Sequence, residues 1–250
     1  MVPVGWSTVV ESLNRPYRVT VPMVLLALLV PCYIFIGETM PRRTLHAPAS
    51  TLDRIIPLQP AWALVYGALY LFAILLPVLV VREEEHVRRT VLAYLTVWIA
   101  SYLCFLTYPT VAPRPDQVPG DGFVVWGLRF LYAADPPYNC FPSIHVAHSF
   151  VSALTCYRVH RRLGIAMILA AALIGISTLF TRQHYVVDVV AGIALAWVAS
   201  FLFLRTLPRA AVPATDRRLA PTLALAVAGL VGLGFACFWV AYRLTAGPCN

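Results

Sequence analysis

The chain has 250 residues, of which 60% are hydrophobic and 12% are charged, and its formal net charge is +8. This composition excludes an ordinary soluble domain and indicates an integral membrane protein. The positive charge does not indicate nucleic-acid binding, because the arginines cluster in alternate loops between apolar stretches. The expected partners of that charge are anionic membrane lipids.

Seven apolar stretches predict an all-α fold, a polytopic bundle of membrane-spanning helices. A span needs about 20 largely apolar residues. In chain order the predicted spans cover residues 19–36, 61–81, 90–108, 145–157, 163–180, 186–204 and 221–242. The fourth is the shortest of them.

The spans divide the chain into three parts. Residues 1–18 are predicted to be a cytoplasmic N-terminus, and residues 19–205 a six-span catalytic membrane domain. Residues 206–250 would supply a cytoplasmic linker, a seventh span and a short outer tail. The sequence shows no internal repeat and no soluble second domain.

Three clusters of arginine predict the orientation in the membrane. Their members are Arg82, Arg88 and Arg89; Arg158, Arg161 and Arg162; and Arg205, Arg209, Arg217 and Arg218. Short loops that carry such clusters face the cytoplasm. The segments 38–60, 109–144 and 181–185 would then share the outer face, and both histidine motifs lie in or beside them.

The second of these motifs runs from Thr181 to Asp188. His184 and Asp188 are four residues apart, which predicts that they share a face of the helix that begins the sixth span. A carboxylate bonded to one imidazole nitrogen leaves the other nitrogen as a lone-pair nucleophile. Tyr185 stands between them at the membrane interface and is a candidate contact for the substrate.

The first motif runs from Phe141 to Val146. Pro142 and Ser143 immediately precede a helical pattern, where an N1 proline and an N-cap serine belong. The first turn of such a helix is an anion site, and His145 within it is suited to protonate a leaving oxygen. His148, three residues further on, lines the same pocket or packs against it.

Two arginines are candidates for gripping phosphate on the outer face. Arg114 is held between two prolines and is suited to bind two phosphate oxygens at once. Arg182, two residues before His184, is a second candidate.

Asp53, Arg54 and Gln59 form an expected lid or headgroup contact ahead of the second span. Cys140 and Cys249 would both be outside the membrane, where a disulfide is an open alternative.

Together these motifs resemble the type 2 phosphatidic acid phosphatase superfamily over residues 50–205. The resemblance implies a six-helix core with three polar motifs on one face, and an enzyme that needs no metal and no other cofactor. Its substrate would be a phospholipid or an isoprenoid phosphate in the membrane.

The same resemblance implies a role for each site residue. His184 would be the nucleophile that forms a phosphohistidine, Asp188 would orient it, and His145 would be the general acid. Ser143 and Arg114 would hold phosphate oxygens.

Three positions depart from the superfamily pattern. Thr107 stands where a lysine is usual, Thr178 stands where an arginine is usual, and Ile144 replaces a glycine. The run from Phe141 to His145, followed by Gln183, His184, Tyr185 and Asp188, is similar to the branch that contains inositol phosphorylceramide synthases. Relatives in that branch are largely transferases, in which an alcohol acceptor takes the phosphoryl-bearing group, so phosphatase and transferase both stay open. We expect an integral protein of a bacterial plasma membrane, and the loop charges predict an active site on its extracytoplasmic side.

Two other classes remain as alternatives. His145, His148 and His184 could instead ligate a metal or a haem. A non-catalytic transporter or scramblase could also use the same fold, which the missing lysine and arginine favour.

Overall fold

The computed structural model describes residues 17–208 and 212–245, and within them the chain is all-helical apart from two isolated β-bridges. Nine α-helices occur in this described part: α1 (Tyr17–Thr39), α2 (Thr51–Ile55), α3 (Trp62–Val80), α4 (Glu84–Thr107), α5 (Phe123–Ala134), α6 (Ile144–Val159), α7 (Arg161–Phe180), α8 (Val186–Phe203) and α9 (Ala214–Thr245). A 3₁₀ turn, Met40–Arg42, follows α1. The predicted all-α helix bundle is confirmed.

Six of these helices are long and apolar enough to cross a membrane: α1, α3, α4, α7, α8 and α9. The fourth predicted span is a helix too, but α6 has only 16 residues and is not among the six. At 1.5 Å per residue it is about 24 Å long, shorter than the hydrocarbon core of a bilayer. It is instead the central helix, since it packs against α3, α4, α7 and α8.

Hydrogen bonds between side chains join α6 to α4 across the bundle. Four residues of α4 bond to three of α6, namely His86, Thr90, Tyr94 and Trp98 to Thr155, Ser152 and His148. Away from water such bonds stabilise helix contacts because each buried polar group needs a partner. The polar side chains that interrupt the apolar pattern of α6 therefore find their hydrogen-bond partners on α4.

Two helices lie outside the predicted spans, one in the segment 38–60 and the other in the segment 109–144. The 12-residue α5 buries one apolar face, including Val125 and Leu128, against Ala63 of α3. The five-residue α2 is capped by Ser50, whose hydroxyl accepts the amide of Asp53. Neither helix is long enough to span, so the 109–144 segment is a folded cap on one end of the bundle.

The start of α6 is docked directly on the first turns of α8. The amide of Ser143 donates to the carbonyl oxygen of Asp188 at 3.0 Å. A β-carbon placed on Gly192 would lie 2.6 Å from the carbonyl oxygen of Ser143 and 3.3 Å from Val146. Only a glycine at position 192 permits this approach, which brings the two histidine motifs together.

We expect Gly192→Ala to lower the stability of the protein by about 1–3 kcal/mol, because the added methyl group forces α8 away from Ser143. Thermal unfolding in detergent measures this as a lower midpoint. The matched control is Gly232→Ala on α9, where an added β-carbon meets nothing within 4 Å. That change should be neutral or slightly stabilising, because alanine favours helix. Equal midpoints for the two variants would contradict the account of the α6–α8 contact.

Candidate active site

His184 lies in the loop before α8 and not on the helix itself. The helix begins at Val186 with Tyr185 as its N-cap, so the prediction that His184 and Asp188 share a helical face is wrong in its details. The two side chains still meet, because Asp188 in the first turn reaches back. Its Oδ2 accepts the amide of Tyr185 at 2.9 Å and lies 3.4 Å from Nδ1 of His184.

The loop that carries His184 is fixed by its own backbone. The carbonyl oxygen of Thr178 accepts the amides of Gln183 at 2.9 Å and of His184 at 3.3 Å. The hydroxyl of Tyr132, on α5, donates to the carbonyl oxygen of Thr181. Thr178, which replaces the arginine usual in the superfamily, thus helps to shape the loop through its main chain.

The first motif begins α6 as its sequence predicts, with Ser143 as the N-cap. The hydroxyl of Ser143 accepts the amide of Val146 at 3.4 Å. Pro142 precedes this cap and is not the first helical residue, and its bond to Phe141 is cis. His145 is the second residue of the helix, and its Nδ1 lies 3.4 Å from Nε2 of His184. The expected meeting of the two motifs is therefore present in the fold.

A second carboxylate faces His145, and the sequence analysis missed it. Oδ2 of Asp135 lies 4.0 Å from Nε2 of His145, and Oδ1 accepts the hydroxyl of Tyr33 at 2.9 Å. The site is thus a row of four groups, Asp135, His145, His184 and Asp188. Asp135 lies ten residues before His145, just after α5, and only the folding of that segment brings it into contact.

Arg114 is buried beside Asp135. Its Nη1 donates to the carbonyl oxygens of Asp135 at 2.6 Å and of Tyr132 at 3.2 Å, and its Nη2 lies 3.8 Å from the Asp135 carboxylate. The guanidinium also stacks over the ring of Tyr132, 4.4 Å from its centroid. Burial raises the pKa of the Tyr132 phenol to about 12, although Arg114 acts in the opposite direction. The contact of Arg114 with the histidine pair therefore runs through Asp135.

Arg182 and Asp53 tie the α2 segment to the loop that carries His184. The two Nη atoms of Arg182 donate to the carbonyl oxygens of Asp53 and Ile56. The carboxylate of Asp53 accepts the amide of Val186, the first residue of α8, at 2.8 Å. Burial acts to raise the pKa of Asp53, but hydrogen bonds from Ser50 and Val186 outweigh it and hold that pKa below its usual value. Arg182 thus donates to main-chain carbonyl oxygens, whereas the sequence predicted that it binds phosphate.

His148 is enclosed by aromatic rings on the side of α6 that faces α4. Its ring stacks on Tyr94 with the centroids 4.2 Å apart, and its Nδ1 accepts the indole N–H of Trp98 at 3.3 Å. Tyr70 contacts both His148 and His145 edge-on. These contacts correspond to the packing interpretation of His148, and Tyr70 connects it to the catalytic candidates.

Three side chains of types that bind metals converge at the site. The candidate ligand atoms of Cys140, His184 and Asp188 all lie within 4.8 Å of one another. Burial, and to a smaller extent Asp188, raises the pKa of the Cys140 thiol. Cys140 is a free thiol in the described chain, and Cys249, its suggested disulfide partner, lies outside the described residues.

Comparisons with known proteins agree with these motifs. The model of the PAP2 superfamily matches residues 44–202. Over 158 residues the chain is 29% identical to undecaprenyl-diphosphatase BcrC of Bacillus subtilis, a match that covers 62% of this chain and 75% of that protein. Over 115 residues it is 31% identical to a PA-phosphatase related-family protein of Dictyostelium discoideum. That match covers 40% of this chain and only 21% of the longer protein.

No solved structure gives a significant match to the chain. The superfamily match nevertheless covers well over half of the sequence, including both histidine motifs, Arg114 and Asp135. The similarity to the inositol phosphorylceramide synthase branch stays a prediction. The chain is an integral membrane protein that belongs to the PAP2 superfamily, the type 2 phosphatidic acid phosphatases and their relatives.

Proposed function

We propose that the protein is a metal-independent phosphatase or phosphotransferase for membrane lipid phosphates, and that it acts through a phosphohistidine at His184. One observation carries this proposal. Nε2 of His184 faces Nδ1 of His145 at 3.4 Å, while Asp188 faces the other nitrogen of His184 at the same distance. A carboxylate on Nδ1 favours the tautomer that leaves a lone pair on Nε2.

In the first half-reaction, the lone pair on Nε2 of His184 attacks phosphorus and the bond from phosphorus to the alkoxide oxygen breaks. His145 gives a proton to that departing oxygen. Asp135, 4.0 Å from the far nitrogen of His145, stabilises the protonated imidazole before the transfer. Each histidine therefore has its own carboxylate, one suited to a nucleophile and the other to an acid.

In the second half-reaction, a hydroxyl group attacks the phosphohistidine and the bond from phosphorus to nitrogen breaks. His145 takes the proton from the attacking oxygen, and the lone pair returns to Nε2 of His184. Water as the attacking group makes the protein a phosphatase, and a bound alcohol makes it a transferase. The relatives with phosphatase names favour hydrolysis.

The phosphate oxygens need donors, and few cations are available in the described site. The first turn of α6, capped by Ser143, offers backbone amides and the positive end of a helix dipole. The guanidinium of Arg114 adds positive charge next to Asp135. We propose that these groups, with Arg182 and Tyr185 supporting the loop that carries His184, stabilise charge on the phosphoryl oxygens.

The membrane setting limits the substrate class. The six apolar helices and the named relatives favour a phospholipid or an isoprenoid phosphate. The ends of the helices opposite the site carry the arginine clusters, so the positive-inside rule favours an extracytoplasmic active site in a bacterial plasma membrane. Membrane lipids are the surrounding partners, and a transferase would also need an alcohol acceptor.

Purified protein in EDTA should release phosphate from at least one member of a panel of phosphatidate, ceramide 1-phosphate and undecaprenyl diphosphate. We expect His184→Ala to lose at least about 10³-fold in kcat, because no other group replaces the nucleophile. The matched control is His46→Ala, which changes a histidine that stacks on Tyr108 outside the row of four groups. Equal activity of the His184→Ala and wild-type proteins would contradict the proposal and favour a non-catalytic role.

Asp135→Asn should slow the hydrolysis of lipid phosphates and leave the hydrolysis of activated phosphate esters nearly unchanged. An alkoxide leaving group needs the proton of His145, whereas p-nitrophenolate leaves without one. We expect kcat for phosphatidate to fall about 10²-fold and kcat for p-nitrophenyl phosphate to change by less than about threefold. Steady-state kinetics on the two substrates measure the ratio. An equal loss on both would show that Asp135 does not act through a general acid.

The proposed orientation predicts where single cysteines can be labelled in intact cells. Asp121→Cys, on a fully exposed side chain in the 109–144 segment, should react with a membrane-impermeant maleimide. Arg88→Cys, at the other end of α4, should react only after the membrane is permeabilised. The unsubstituted protein gives the background from its own cysteines. The opposite labelling pattern would place the active site in the cytoplasm.

A further inference from the structure

A cavity of about 420 Å³ lies between α1 and the segment that joins α5 to α6. His145 is part of its lining, so the cavity adjoins the proposed general acid. Its polar lining also includes Tyr33, Glu38, Asp135, Tyr138 and Asn139. Tyr33 and Glu38 belong to α1, which lies outside residues 44–202 that the superfamily model matches. The superfamily match therefore does not account for this wall of the cavity.

Two hydrogen-bond donors around the cavity, those of Tyr33 and Asn139, are already used within the protein. The hydroxyl of Tyr33 donates to Oδ1 of Asp135 at 2.9 Å. The side-chain amide nitrogen of Asn139 donates to the carbonyl oxygen of Tyr33 at 3.2 Å. Because a carbonyl oxygen can only accept, this second bond also fixes which way the Asn139 amide points. A ligand in the cavity would find the Tyr138 hydroxyl as a donor, but not these two groups.

The acceptors, in contrast, are left over. Asn139 is only 4% exposed, and its Oδ1 is buried with no hydrogen-bond partner in the described chain. A buried acceptor without a partner costs free energy, so it points to a missing donor. Glu38 adds an exposed carboxylate to the lining and makes no ion pair with any residue that the structure describes. Asp135 adds a second carboxylate, which already accepts the hydroxyl of Tyr33 and faces Arg114 and His145.

From this excess of acceptors we infer that the cavity is the subsite for the alcohol that leaves or enters at His145. It selects alcohols that carry a second donor group, a hydroxyl or an ammonium, close to the reacting oxygen. Two carboxylates repel a phosphate, so the phosphoryl group lies on the side of His184 and the alcohol on the side of Glu38 and Asn139. This inference rests on the proposed phosphoryl transfer at His184.

The alcohol could come from the lipid phosphate itself or from an acceptor, and two assays separate these sources. The first compares hydrolysis of lysophosphatidate, whose leaving alcohol has a free hydroxyl, with that of phosphatidate of the same acyl chain. The second measures transfer from phosphatidate to glycerol or to 1-propanol at equal concentrations. The ratio of kcat/KM within each pair reports the selectivity for a second donor.

Two variants test the acceptors. Glu38→Gln removes a carboxylate from an exposed side chain, and Asn139→Gly removes the buried amide where φ is +60°, a conformation that glycine tolerates. We expect each to reduce the donor selectivity of the wild type by about tenfold in the assay that shows it. Asp121→Asn, a carboxylate on the same face outside the cavity, should leave the ratios unchanged.

The outcomes distinguish the subsite from the chemistry. Selectivity in the hydrolysis assay alone identifies a leaving alcohol, and selectivity in the transfer assay alone identifies an acceptor. If the kcat/KM ratios are near one in the wild type, or if neither variant alters them, the assignment of the cavity as an alcohol subsite is overturned.

A binding measurement covers the case in which no substrate turns over and the proposed function fails. The inactive His184→Ala protein should then be stabilised against thermal unfolding more by lysophosphatidate than by phosphatidate. Adding Glu38→Gln should remove the difference. Equal stabilisation of His184→Ala by the two lipids overturns the inference on its own.

Discussion

The docking of the α6 N-terminus on the first turns of α8 is the constraint on which the rest of the site depends. The hydrogen bond from the Ser143 amide to the Asp188 carbonyl oxygen and the close approach at Gly192 set the distance between the two helices. That distance places His145 against His184. The contact is made by the main chain, so the two helices are held together without any help from a substrate. Preorganised groups of this kind stabilise a transition state without reorganisation during the reaction.

Each buried carboxylate of the site has at least one local hydrogen-bond donor, although Oδ1 of Asp188 has none in the described chain. Asp188 receives the amide of Tyr185, Asp53 receives the amide of Val186, and Asp135 receives the hydroxyl of Tyr33. Isolated carboxylates at this depth would be costly, and each of these has a donor instead. The guanidinium groups of the two arginines are likewise hydrogen-bonded within the protein. Arg182 holds the α2 segment and Arg114 holds the end of α5. The proposed phosphate site therefore relies more on the backbone amides at the start of α6.

Local sequence signals predicted the parts of this site that are close together in the chain. The N-cap at Ser143 and the pairing of His184 with Asp188 both depend on spacings of four residues or fewer, and both occur in the structure. Apolar runs likewise predicted the helix bundle. Asp135 could not be predicted, because its contact with His145 depends on how α5 folds back over α3. The targets of Arg182 are main-chain carbonyls some 130 residues earlier, which leave no pattern in the sequence. The short, central position of α6 follows from side-chain pairing with α4 and not from its hydropathy.

The most direct test of the account is to trap the covalent intermediate. Purified protein in EDTA would be mixed with phosphatidate labelled with ³²P, quenched within milliseconds in alkali, and digested for mass spectrometry. The account predicts a label that is stable in alkali, labile in acid and located on His184, and that disappears in His184→Ala but not in His46→Ala. A label on another residue, or turnover of phosphatidate with no labelled protein at any quench time, would contradict a phosphohistidine at His184.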